Sequence, residues 1–404
     1  MIATGSGTYG HRVRSRRVVF KFKVETAKYG KIPRGIVDVG IEASMIGAWL
    51  ATAMKQALTS FEWRDSNLLA WFCPTASYAH LKTAFDLLEA AASPVTVVLF
   101  SDDACLAIRS PVGLVYYDMD ISSCDKSHGP GIFRLLRHLV PVQLHSEFDF
   151  LIEQLQMPIR FRDLHNSKNY VELRPIHPTL YSGSVLTTLV NNIAVLCIAH
   201  AVSRSVDRTA LGIARAARAV GYVVTMKQHG SFEDLQFLKH SPVRDTSGHY
   251  QPLLNLGVFL RTCGIISGEL PGRGPMPPRA SAAVYAAMSC SYPGAHFPML
   301  DSMRQRFSPD KTLLATLKER YYSEHPERSP LWPTLYFSDD AVMHRYHLSA
   351  WPSVTFFFLE AGLWHLVSGS DIDRIMLLDY DLPPGRSLID EPLTCDELRA
   401  LAQV

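Results

Sequence analysis

Two acidic groupings in this 404-residue chain have residue types and spacing suited to chemistry. The first is the pair Asp102 and Asp103, which interrupts the apolar run "VVLFSDDACLAI". The second is "DISSCD", which sets Asp120 and Asp125 five residues apart after the apolar stretch "GLVYYDM". Clustered carboxylates repel one another and are costly to desolvate unless a divalent cation sits among them. Mg2+ is a hard ion that takes carboxylate and phosphate oxygens, and two such ions about 3.5–4 Å apart stabilise the entering and leaving oxygens of a phosphoryl transfer. Asp102, Asp103 and Asp120 are therefore candidate ligands of two Mg2+ ions, with Mn2+ as the alternative metal. A polar hairpin turn is the plainer use of Asp102 and Asp103, because Asp is common in turns.

The elements around these residues must bring them together. "PVTVVLF", "ACLAI" and "GLVYYDMDI" read as three strands joined by the tight connections "SDD" and "RSPVG". An up-down-up path then delivers Asp120 to the edge that carries the SDD turn. Helical periodicity covers residues 41–60, 77–92 and 207–220, and a long helix follows Ser182. Short strands return over 222–243. From about residue 246 Pro, Gly and aromatic residues ("GELPGRGPMPPRA") precede mostly helical text and mark a separate lobe.

A composition of 47% hydrophobic and 19% charged residues can bury a large core, in one multi-lobed unit or two to three modules. The seven cysteines are scattered singly, which excludes a zinc ribbon and a secreted disulfide framework and fits a reducing compartment. The longest apolar run, "SVLTTLVNNIAVLCIAHAV", carries two asparagines and a histidine, so it reads as a buried helix and no integral membrane segment is expected. Net charge is only +2, yet residues 1–34 hold nine Lys or Arg against the single acid Glu25. That asymmetry favours a polyanionic partner. The alternation in "VVFKFKVE" argues for a strand with one basic face, and a disordered basic leader is the alternative.

"SGSVLTTLVN" places Ser182, Gly183, Thr187 and Asn191 in the pattern SGxxxTxxxN. With "DISSCD", it resembles viral RNA-dependent RNA polymerases, particularly those of tombusvirus-like positive-strand RNA viruses. The resemblance implies that "DISSCD" is palm motif A, with Asp120 on catalytic metal and Asp125 on the incoming ribose. It implies that Ser182, Gly183, Thr187 and Asn191 form motif B, which contacts template and ribose. "KVETAKYGKIPRGI" is similar to fingers motif F and offers Lys23, Lys28, Lys31 and Arg34 as triphosphate contacts. "VGYVVTMKQHGSFEDLQFLKHSPV" is similar to motif D running into motif E, with Lys227 in the first and Phe237, Leu238 and Lys239 in the primer-gripping hairpin of the second.

One departure matters. The family usually presents its Gly-Asp-Asp hairpin, motif C, after motif B, whereas here the hairpin precedes motif A and carries Ser101 in place of the glycine. The order C-A-B resembles the permuted palm of permutotetraviruses and birnaviruses. A short loop such as "RSPVG" can join the hairpin to an antiparallel neighbour, so rewiring is physically permitted. The implied fold is α+β: a right-hand polymerase with an antiparallel RRM-like palm sheet packed on helices, permuted connectivity and a mainly helical thumb. The corresponding divisions are 1–60 partial fingers, 61–245 palm with a fingers insertion near 130–175, and 246–404 thumb.

The implied activity is RNA-templated RNA synthesis from NTPs in viral genome replication. Its partners would be RNA template and nascent strand, and its setting the host cytoplasm in membrane-associated replication complexes. Residues 1–22 alone precede motif F, so a fragment, a compact enzyme, and half of a divided polymerase completed by a second chain supplying fingers are all open. A reverse transcriptase would instead be expected to carry an aromatic ribose gate and a tyrosine where Asp125 and Ser101 stand. A non-catalytic RNA-binding replicase subunit is the other alternative. A second "FSDDA", at 337–341, reads as a helix start with Ser338 as N-cap and Asp339 and Asp340 in the first turn. Were it instead the metal site, Asp339→Ala rather than Asp102→Ala would abolish polymerisation.

Overall fold

The computed structural model describes residues 18–22, 35–38, 40–59, 62–162, 166, 168–259, 276–306, 311–324, 332–350, 355–358 and 364–367. Lys23, Lys28, Lys31 and Arg34 lie outside the described residues. The chain divides into two compact units, the first made of residues 1–74 and 90–229, the second of 75–89 and 230–404.

In chain order the elements up to residue 229 are β1 (Val18–Phe22), β2 (Gly35–Asp38), α1 (Ile41–Thr59), β3 (Glu62–Arg64), β4 (Leu68–Phe72), α2 (Tyr78–Ala90), β5 (Val95–Phe100), β6 (Asp103–Ser110) and β7 (Gly113–Ile121). They continue with α3 (Cys124–Ser127), α4 (Pro130–Leu139), α5 (His145–Gln154), β8 (Ile159–Arg162), β9 (Tyr170–Leu173), α6 (Thr187–Arg204), α7 (Ala210–Ala219) and β10 (Val224–His229). All but 75–89, which take in nearly all of α2, belong to the first unit.

The central sheet of the first unit runs β10-β7-β6-β5-β4-β3. Every neighbouring pair is antiparallel except β4–β5. The expected three-strand meander is present, with Ser101 and Asp102 connecting β5 to β6 and Pro111 and Val112 connecting β6 to β7. Over residues 95–100 and 104–108, β5 and β6 are apolar apart from Thr96 because both of their faces are buried there. β7 alternates instead. Tyr117, Met119 and Ile121 join the core with Ala194, Val195, Ile198 and Val202 of α6 and Ile213 and Ala217 of α7. Tyr116, Asp118 and Asp120 therefore point to the opposite face.

The long helix α6 is apolar all round because it serves two cores. Its residues Leu189, Val190 and Ile193 pack in a second cluster with Leu50 and Met54 of α1, Phe133 and Leu136 of α4, and Phe148 and Leu151 of α5. It starts at Thr187, five residues after Ser182, so Ser182 belongs to a preceding loop. A second sheet, ordered β2-β1-β8-β9, completes this unit. Among the described residues no helix is long and apolar enough to cross a membrane.

The second unit continues with β11 (His240–Arg244), β12 (Tyr250–Leu254), α8 (Met276–Ser291), β13 (Ala295–His296), α9 (Pro298–Arg306), α10 (Lys311–Glu324), β14 (Leu335–Tyr336), α11 (Asp339–His344), β15 (Thr355–Phe358) and β16 (Trp364–Val367). Among the described residues its strands form three two-stranded sheets, and Phe259, Met288, Tyr292, Phe297 and Tyr346 anchor its core.

Candidate active site

The register of the central sheet decides which acids share an edge. Ala104 faces Met119 across β6 and β7, so one further residue sets Asp103 opposite Asp120. Thr225 of β10 faces Asp120 on its other side. Asp103 and Asp120 are exposed and Asp102, in the turn, is half-buried. Burial, then the fields of Asp102, Asp125 and Asp120, push the Cys124 thiol far above its ordinary value. The negative charge of all three carboxylates is felt at this side chain, at the start of α3, and the thiol stays protonated. Carboxylate oxygens at Asp102, Asp103 and Asp120 are the donor type a hard cation takes. Among the described residues no three His, Cys, Asp or Glu side chains are already gathered into a metal-holding set.

The SDD turn is tied to α6. Ser101 adopts a left-handed backbone conformation, φ 59°, where glycine is the usual occupant. Its N–H donates to Asn192 Oδ1 at 2.6 Å, and its hydroxyl accepts from Asn191 Nδ2 at 3.1 Å. The same Asn191 Nδ2 lies 3.5 Å from Asp125 Oδ1. A carboxylate only accepts, so the amide nitrogen of Asn191 must be on the Asp125 side and its oxygen on the other. That oxygen meets His128 Nε2 at 2.8 Å, and His128 Nδ1 meets the Tyr222 hydroxyl at 3.1 Å. Burial pushes His128 below its ordinary value, partly offset by its hydrogen bond to Asn191 and by the charges of Asp125 and Asp102. The neutral ring therefore carries its hydrogen on Nε2 and accepts the Tyr222 O–H at Nδ1.

The loop before α6 is shaped by its backbone. Gly183 has φ +97°, and a Cβ there would sit 3.4 Å from the Val37 carbonyl oxygen. The preceding carbonyl, of Ser182, accepts the Val37 N–H of β2 at 3.1 Å. Thr187 opens α6 and donates its hydroxyl to the Tyr181 carbonyl at 3.3 Å. Thr187 and Asn191 thus satisfy different partners. Lys227 is exposed on β10, faces Asp118 in register, and shares the sheet face of Asp120.

Among solved structures, the chain is similar to the RNA polymerase VP1 from Infectious Pancreatic Necrosis Virus, with a TM-score of 0.51 over 80% of this chain and 46% of that one. It is similar to a birnavirus VP1–VP3 complex, with a TM-score of 0.52 over 79% of this chain and 47% of that one. Sequence identity is 10% in both. The shared property is the fold. The chain spans less than half the length of either structure it matches. No family model and no curated protein matches it.

In the second unit, Phe237 and His240 bridge across a tight turn whose central residues Leu238 and Lys239 both have positive φ, 50° and 64°. Phe237 is buried, and Lys239 is exposed at the turn. The other "FSDDA" begins α11: Ser338 Oγ accepts the Ala341 N–H at 3.1 Å, and Asp339 Oδ1 accepts the Met299 N–H at 3.1 Å. Its Ser338 has φ −84°, so identical letters take two conformations. The first is a strand-joining turn; the second is a helix cap.

Sequence reasoning missed His128, Tyr222 and Asn192 as neighbours of the site. For Asn192 a signal existed, an asparagine pair inside an otherwise apolar helix. It also missed Asp118, two pairs below Asp120 on the same sheet face, and the buried His229, whose Nε2 lies 2.7 Å from Asp118 Oδ2. Cys105 donates to the other Asp118 oxygen at 3.4 Å.

Proposed function

We propose that the chain performs RNA-templated RNA synthesis, joining NTPs during viral genome replication. The observation that carries this reading is a meeting of three elements. The strand order β10-β7-β6-β5 sets the SDD turn beside Asp120, and Asn191 reaches both that turn and Asp125 from α6. A fold like that of birnavirus RNA polymerases supports it. On this reading β5–β6 is motif C, β7 motif A and α6 motif B, a palm in the permuted order.

Asp102 and Asp120, assisted by Asp103, would hold Mg2+, or Mn2+ as the alternative ion. When bound, the metal would supply acidification of the nascent strand's 3′-hydroxyl and neutralisation of triphosphate charge. The chain's own residues do the rest. Asp125 and Asn191 read the ribose 2′-hydroxyl together: Asp125 presents the acceptor and the Asn191 amide orients that carboxylate, which separates RNA from DNA precursors. The Ser182–Gly183 loop supports the template, and Lys227, on the Asp120 face, contacts the nucleotide. Lys23, Lys28, Lys31 and Arg34 bind triphosphate, and the Leu238–Lys239 turn grips the primer.

A primer-extension assay tests this reading. Asp102→Ala and Asp120→Ala should each reduce incorporation by several orders of magnitude while RNA binding stays nearly constant. Wild-type incorporation by either variant would sink the assignment. The alternative is a non-catalytic RNA-binding replicase subunit, against which Asp102, Asp103 and Asp120 argue, because unneeded clustered charge is costly to fold. Mg2+-dependent thermal stabilisation that disappears in Asp120→Ala would exclude it.

A further inference from the structure

The side chains behind Asn191 form a relay whose donors all point one way. The Tyr222 hydroxyl donates to His128 Nδ1 (3.1 Å), His128 Nε2 to Asn191 Oδ1 (2.8 Å), and Asn191 Nδ2 to Ser101 Oγ (3.1 Å) and Asp125 Oδ1 (3.5 Å). The relay is dry: His128 is 3% exposed and Asn191 1%. Tyr222, itself buried, meets the His128 ring edge-on with centroids 5.7 Å apart. These links span 63 to 94 residues of chain and join α3, α6, the SDD turn and the segment entering β10.

An asparagine amide has nearly the same shape in its two orientations, but exchanging them swaps a donor for an acceptor. Reversed, Asn191 would present its oxygen to the Asp125 carboxylate, two acceptors face to face, and its NH2 to the His128 N–H, two donors face to face. His128 Nε2 meets the Asn191 oxygen at 2.8 Å, and without its N–H that buried oxygen loses a hydrogen bond and the amide one of its constraints. A site built to hydrogen-bond a hydroxyl rejects the analogue lacking it only while its donors and acceptors are held in place.

We propose that His128 is a positioning residue for sugar selectivity: its Nε2–H holds the Asn191 amide in the orientation that presents NH2 toward Asp125, the carboxylate that meets the ribose. The proposal rests on the reading that Asp125, oriented by Asn191, contacts the 2′-hydroxyl. Tyr222 acts one step further back by keeping the hydrogen of His128 on Nε2.

The test is primer extension by the full chain with an NTP and with the matching 2′-dNTP, recording kcat and KM for each in His128→Phe, His128→Gln, Tyr222→Phe and Asn191→Ala. His128→Phe should raise KM for the NTP and lower the preference for NTP over 2′-dNTP about tenfold, the size of one lost hydrogen bond. His128→Gln, whose amide N–H can replace Nε2–H, should recover most of the preference, and Tyr222→Phe should lose only part of it. If His128→Phe slows both nucleotides by one factor and leaves the preference intact, His128 is merely structural and the proposal is overturned. If Asn191→Ala also leaves the preference intact, the ribose reading has failed; if Asn191→Ala removes it while His128→Phe does not, only the relay has failed. Equilibrium binding of the NTP and 2′-dNTP in Mg2+ makes the same comparison without turnover.

Discussion

Replacing Asn192 by alanine should cost more stability than replacing Ser101 by glycine, although both changes strike the same acidic turn. In Asn192→Ala the Ser101 N–H loses the acceptor that it meets at 2.6 Å. An N–H left unsatisfied in a largely buried place costs about 1–3 kcal/mol. Ser101→Gly has two opposed effects. It removes the hydroxyl that accepts from Asn191 at 3.1 Å, a loss of about 0.5–1.5 kcal/mol. It also relieves an L-residue of a left-handed conformation, φ 59°, a gain of about 1–2 kcal/mol. The two nearly cancel. Calorimetry should therefore show the first unit melting about 4–8 °C lower in Asn192→Ala, for a loss near 2 kcal/mol, and within about 2 °C of wild type in Ser101→Gly. Equal losses in the two variants would refute the claim that strain at Ser101 offsets its hydrogen bond, and an unshifted Asn192→Ala would refute the clamp itself.

Gly183→Ala should destabilise by about 1–2 kcal/mol because its φ of +97° is strained for any side chain, a change readable as a lower urea midpoint. His128 should make the fold sensitive to mild acid. Its folded value lies below the ordinary 6.5, so the unfolded chain binds a proton first and stability falls as pH drops below 6.5 toward the folded value. Urea midpoints between pH 7.5 and 5.5 should fall less steeply in His128→Gln. Ser338→Ala should cost about 1 kcal/mol by removing the α11 cap while leaving primer extension unchanged, the opposite of Asp102→Ala. Gly47→Ala should loosen the packing of α1, because a Cβ there would fall 2.0 Å from Val185 Cγ2, and thermal melting reads the loss.

The meander over residues 95–121 was legible because its signals are local: two apolar runs, two short turn connections and an alternation in "LVYYDMDI" that separates Tyr117 and Met119 from Asp118 and Asp120. Helix α6 was legible as buried text, though not its start: Ser182 is a common N-cap residue type, yet the helix begins at Thr187 and Gly183 turns the chain before it. The strand Leu68–Phe72 escaped because a five-residue apolar run suits a buried helix segment equally well. A shared task for Asp125 and Asn191 was an expectation from the resemblance. The His128–Tyr222 half of the relay could not, since it depends on hydrogen bonds across 63 and 94 residues that no local pattern encodes. The two copies of "FSDDA" show the same limit from the other side: Asn192 on one and a following helix on the other decide what the letters become.

The meander also bears on how the first unit is made. β5, β6 and β7 follow one another through connections of two residues each, so Asp102, Asp103 and Asp120 reach a common edge using one short stretch of backbone. Closing such small loops costs little entropy, and contacts close in sequence form fast. During synthesis this edge can take shape before α6 has emerged, leaving the asparagine pair to lock an acidic ridge that already exists. Pulse-labelled hydrogen exchange would reveal that order as protection at Val97, Leu106 and Tyr117 preceding protection within 187–204.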